Sequence, residues 1–159
     1  MAVKARISLG FVLSAMVMAA GVMAAIPVGA ADVRLQAAIG DEILQLVEDG
    51  PKLNRVIVNE RVVLEDRDSR SIAFVNAYNL QGRWLVLLQH NGDGGNCAAR
   101  YRVLDLSGPQ PGVSLPFGTC SDAPEVATAG QALTVSMPAG DGKGTAAWSY
   151  QQGRLARVR

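Results

Sequence analysis

From Asn54 to the C-terminus, turn-forming residues recur about every ten positions, and short β-type runs fill the intervals between them. "RVIVNERVVLED" reads as two strands around a tight turn at Asn59 and Glu60. "SIAFVNAYNL" and "RWLVLLQH" flank "QG", "EVATA" and "ALTVSMP" flank "GQ", and "AAWSY" and "RLARV" flank "QQG"; each pair predicts a hairpin. "CAARYRVLDL" and "GVSLPFGTC" are divided by "SGPQPG", whose prolines and glycines make it a loop. Roughly eight to ten strands spaced in this way predict a mainly β, antiparallel fold: a sandwich, a strongly bent sheet or a partly open barrel. Alternation is clearest at Leu133, Val135 and Met137, with Thr134 and Ser136 pointing the other way. "WLVLL" is apolar without alternation, which predicts a central strand buried on both faces. Hairpins recur, but no long-period repeat of propeller or solenoid type is visible.

The chain before Asn54 has a different texture. In "LQAAIGDEILQLVEDGP", Leu35, Ile39, Ile43, Leu46 and Val47 fall at three-to-four spacing, and Gly50–Pro51 is a helix stop signal. This predicts one amphipathic N-terminal helix within residues 31–53, covering an end or face of the sheet, with Gly40 as its weak point. Upstream, Lys4 and Arg6 precede an apolar stretch from Ile7 to Ile26 and the small residues of "PVGAAD", the three-part layout of a secretory signal peptide. Residues 1–30 are therefore expected to be a leader cut after Ala30 or Ala31, with 54–159 an antiparallel β domain and 31–159 one folded unit. Removal leaves roughly 128 residues, enough for one domain. The formal net charge of +1 disappears with Lys4 and Arg6, because every acidic residue lies beyond Ala31. A near-neutral chain with no concentrated basic surface excludes nucleic acid as the expected partner. The layout resembles that of small exported proteins of Gram-negative bacteria, which implies a periplasmic or secreted location without stable membrane insertion after cleavage.

Export decides how Cys97 and Cys120, the two cysteines of the chain, are read: in an oxidising compartment they predict a disulfide. A zinc site would need close cysteine pairs or more histidines, and His90 is the single histidine. "HNGDGGNCAARY" joins two strands, and its Gly, Asn and Asp residues suit an exposed hairpin tip. His90, Asn91, Asp93 and Asn96 are the weak metal or loop candidates. Asn91, Asp93 and Asn96 offer hard oxygen atoms for calcium, yet one carboxylate is far short of an EF-hand-like set. No metal and no cofactor are expected.

Catalytic signatures are equally sparse. His90 has the chemistry of a general base, but no G-x-S-x-G elbow or H-E-x-x-H motif accompanies it. Glu65, Asp66 and Asp68 lie among arginines in "LEDRDSR" and read as solvated surface, not as a paired-carboxylate site. Arg100 and Arg102 alternate with Tyr101 and form a candidate interaction surface; Trp84 and Trp148 are expected in the core. The expected function is a noncatalytic interaction module, such as an inhibitor, an immunity-type protein or an envelope accessory factor, with a periplasmic or secreted protein as partner. The alternatives are a small-ligand or calcium carrier and a hydrolase assembled from scattered residues.

Overall fold

A computed structural model describes residues 31–92, 95 and 97–159. The expected leader, together with Asp93 and Asn96, lies outside the described residues. The described chain forms thirteen strands in three antiparallel sheets. The first sheet is the meander β1 (Asp32–Ile39), β2 (Glu42–Glu48), β3 (Asn54–Val58) and β4 (Arg61–Asp66). The second contains β5 (Ser71–Leu80), β6 (Arg83–Asn91), β7 (Ala99–Asp105) and β8 (Gly112–Val113), with β9 (Phe117–Cys120) also paired to β7. The third is the meander β10 (Glu125–Ala129), β11 (Ala132–Pro138), β12 (Thr145–Gln151) and β13 (Arg154–Arg157). The first and third sheets thus repeat one four-stranded meander without repeating sequence, because a meander needs only alternation and turns, and both are satisfied by many residue choices.

The anticipated N-terminal helix is replaced by the β1–β2 hairpin. Gly40 and Asp41 are its two-residue turn, with Gly40 at φ +61. This turn explains the misleading periodicity. Leu35 pairs with Leu46 and Ala37 with Leu44, so the inward positions are odd-numbered before the turn and even-numbered after it. Read as one uninterrupted segment, that switch of parity imitates helical spacing. Ile43, which a helix would have buried, lies on the outer face instead, 42% exposed.

The hairpin turns downstream form where anticipated. Asn59 and Glu60 both have positive φ, as do the Gln81–Gly82 and Gln152–Gly153 pairs, and the same left-handed backbone begins the turn at Gly130. Such turns match the twist of the strands they join.

The second sheet is the middle layer. On one face Leu85, Leu87, Tyr101 and Val103 pack with Leu133, Val135 and Met137 of the third sheet. On the other, Val86, Leu88 and Leu104 pack with Leu44, Leu46, Val56 and Val58 of the first. The unalternating run in β6 is therefore apolar because both of its faces are covered. Trp148 packs against the first of these cores and Trp84 against the second. The outer surfaces differ in character. In the third sheet, Thr134 and Ser149 pair in a row with Ala127 and Ala156, small groups that face outward. The outer face of the first sheet carries Val33, Ile43, Ile57 and Val62.

Candidate functional site

His90 sits near the end of β6 on the face turned towards the first sheet, and only 5% of it is exposed. Asp66 closes β4 and enters the same seam. Its Oδ2 lies 2.5 Å from His90 Nδ1 and accepts the Ser69 hydroxyl at 2.6 Å. Its Oδ1 accepts the backbone N–H of Asp68 at 2.8 Å and of Ser69 at 3.1 Å. Buried Asn54 donates its Nδ2 to the Ser69 carbonyl at 2.9 Å, fixing the turn from behind. Asp66 is thus an interior cap, not the solvated charge expected of "LEDRDSR". An acid followed by Asp and Ser two and three positions later is the pattern that permits this fold-back.

Burial alone would raise the Asp66 pKa, but the Ser69 hydroxyl, the Asp68 N–H and His90 together outweigh it and bring the carboxyl down to about 2. Burial pushes the His90 pKa down; Asp66 opposes this and the nearby Arg102 charge adds to it. The pair is therefore a neutral imidazole donating Nδ1–H to an ionised carboxylate. A serine nucleophile and an orienting acid must use opposite nitrogens of the histidine. Here Ser69 Oγ is 3.3 Å from the same Nδ1 that meets Asp66. Nε2, the atom a general base would present, is buried with no hydrogen-bond partner among the described residues. The arrangement holds two sheets together and does not form a relay.

Arg102 faces the same seam. Its Nη1 donates to the Ser114 carbonyl at 2.8 Å, and its Nε is buried without a partner among the described residues. Arg100 is exposed, with Nε 3.4 Å from Cys97 Sγ. Tyr101, on the opposite face, is fully buried and donates its hydroxyl to the Ser121 carbonyl at 3.0 Å. Burial and the Asp122 charge raise its pKa to about 12.

The glycine-rich segment is pinned at its base. Cys97 and Cys120 are joined at 2.07 Å, and Gly92 N–H donates to the Ala98 carbonyl at 2.9 Å. A Cβ at Gly92 would stand 2.0 Å from the Cys97 carbonyl oxygen, so only glycine fits there. Asn91 has both side-chain amide atoms engaged, donating to Ser71 Oγ at 3.0 Å and accepting from Gln89 at 2.7 Å. His90 points away from the segment, into the seam. Among the described residues no group of three or more His, Cys, Asp or Glu side chains could hold a metal.

A second polar network escaped the reading of the sequence. Asp105, the last residue of β7, accepts Arg83 Nη2 at 2.8 Å and the Tyr150 hydroxyl at 3.1 Å, tying the second sheet to the third. It also accepts the N–H of Ser107 at 3.0 Å and that residue's hydroxyl. Burial works against ionisation of Asp105, but Ser107, Tyr150 and Arg83 hold its pKa below the ordinary carboxylate value. Burial, together with the Asp105 charge, raises the Tyr150 pKa to about 12. The signal was again an aspartate ending an apolar strand with a serine shortly after it. Beside this network lies a surface hollow of about 490 Å³, lined in part by Arg83, Asp105, Ser107, Gln110, Tyr150 and Gln152. Compared with protein-family models, curated proteins and solved structures, the chain matches none.

Proposed function

We propose that the chain is an exported, noncatalytic interaction module that binds a periplasmic or secreted protein through the outer face of its first sheet. The observation that carries this reading is the contrast between the two outer surfaces. Val33, Ile43 and Val62 are 50%, 42% and 45% exposed on the first sheet, whereas the strands of the third sheet turn out Thr134 and Ser149 and expose one large apolar side chain, Val158, just past the end of β13. Exposed apolar side chains rimmed by charge are the usual anatomy of a recognition surface, and on this face the hydrogen-bonded Gln36–Gln45 pair lies among them. Here the rim is built from Arg34 with Glu48 and from Arg55 with Asp49 and Glu65. The partner that fits presents an apolar patch with mixed charges around it. Sealing His90 inside a seam supports the noncatalytic part of the reading.

The disulfide fits an oxidising compartment outside the cytoplasm. A cleaved leader and a periplasmic or secreted destination extend that statement. The start of β1 at Asp32, directly beyond the expected cut, supports them. The test is capture of the partner by the exported chain and by Ile43→Lys, Val62→Lys and Thr134→Lys variants with unchanged circular dichroism. Loss of capture with the first two and retention with the third is expected. Equal capture by all variants, or turnover of a substrate that disappears in His90→Gln, overturns the reading. Sequencing the N-terminus of the exported product checks the leader: it should begin at Ala31 or Asp32.

A second reading, a small-ligand carrier, has the hollow beside Asp105 in its favour. The floor groups there already satisfy one another, which makes it the weaker of the two.

A further inference from the structure

We propose that the Cys97–Cys120 bridge is reduced in one direction, an incoming thiolate attacking Cys120 and releasing Cys97. The two sulfurs have unequal surroundings. The Arg100 guanidinium places Nε 3.4 Å from Cys97 Sγ, closer than the Ala99 carbonyl oxygen at 3.6 Å, so charge developing on that sulfur meets a cation and a donor at the shorter range. Cys120 has no such neighbour on its sulfur among the described hydrogen bonds, and its backbone is left-handed at φ +71, a conformation that a side-chain-bearing residue rarely adopts. Both cysteines are half-buried. Exchange is faster when the departing sulfur is the better-stabilised thiolate, which selects Cys97 as the leaving group.

The co-reactant is a dithiol. Its first thiolate forms a bond to Cys120 Sγ as the Cys97–Cys120 bond breaks, and the electron pair departs on Cys97 Sγ beside Arg100. The second thiol of the reductant then loses its proton and closes on the mixed disulfide. Cys120 is released as a thiolate, the dithiol is oxidised by two electrons, and each cysteine sulfur takes up one of the two protons that the dithiol gives up.

The consequence is local. Beyond the bridge, β9 keeps its hold through buried Phe117, the Thr119 hydroxyl on the Pro138 carbonyl at 2.6 Å, and Tyr101 on Ser121. The other side of the bridge retains the Gly92–Ala98 hydrogen bond. Reduction therefore removes the covalent tie between Cys97 and β9 while Ala99 and Cys120 stay paired and the layers stay assembled.

The test uses the oxidised protein and glutathione as a single-thiol probe, quenched early with acid, with the adduct located by peptide mass spectrometry. The adduct is expected on Cys120, with Cys97 free. Arg100→Gln should slow reduction by dithiothreitol about 3- to 10-fold, and Arg100→Lys should restore most of the rate. Adduct on Cys97, adduct shared equally, or a rate indifferent to Arg100→Gln overturns the proposal. Hydrogen exchange of the reduced protein gives a second check: protection at Val103 and Leu87 should persist, and its loss would mean that the bridge holds up the whole fold.

Discussion

Gly40 lies so close under Trp84 that a Cβ on the glycine would stand 2.6 Å from the indole Nε1. The β1–β2 turn thus meets the middle sheet through a contact that only a residue without a side chain allows. Two constraints coincide there: left-handed φ and the absence of space. Gly130 has a similar φ of +56 but open surroundings. Gly40→Ala should therefore cost about 2–4 kcal/mol, with Gly130→Ala nearer 1 kcal/mol. Urea unfolding of the two variants measures the difference, and equal losses would show that the Trp84 contact contributes nothing.

The middle strand tests the layering. Leu87 and Leu88 are adjacent, fully buried, and belong to opposite cores. Each alanine substitution should cost about 2–5 kcal/mol. In a strand covered on one side only, one of the two would be nearly neutral. Thermal melts of Leu87→Ala and Leu88→Ala separate the possibilities.

Acid should weaken the fold in two steps. The His90 pKa is lowered by folding, so the unfolded chain takes up that proton first, and stability falls as pH drops below 6.5 towards the depressed folded value. The Asp66 pKa is lowered from 3.8 to about 2, so its contribution is complete above 3.8 and is lost as pH falls to about 2. That second step is on the order of 2 kcal/mol, and Asp105 adds to it with the same sign. Denaturant midpoints measured from pH 7 to pH 2 should show both limbs. His90→Gln should remove the upper one, and Asp66→Asn should shrink the lower. An upper limb unchanged in His90→Gln would mean that another group titrates there.

At the second seam, Tyr150→Phe removes one donor from Asp105 and should cost about 1 kcal/mol. Arg83→Met leaves a buried carboxylate without its cation and should cost about 3 kcal/mol. Because both act on one oxygen, Oδ2, the double variant should depart from additivity. A chemical-denaturation cycle reads the coupling directly, and strict additivity would mean that the two partners act separately.

The sequence by itself determined most of the strands, their turns and the doubly buried run of β6. Alternation and turn chemistry are local properties, and "NE", "QG" and "QQG" act through their own backbone angles. It could not distinguish the β1–β2 hairpin from a helix, because a two-residue turn changes parity and thereby copies helical spacing. Only the tertiary structure decided which outer face carries exposed valine and isoleucine side chains. It also decided that His90 and Asp66 meet, 24 positions apart, and that Asp105 and Tyr150 meet across 45. Whether an aspartate is solvated or buried depends on which sheet is laid over it. That is settled by the packing of three layers whose order no local pattern encodes.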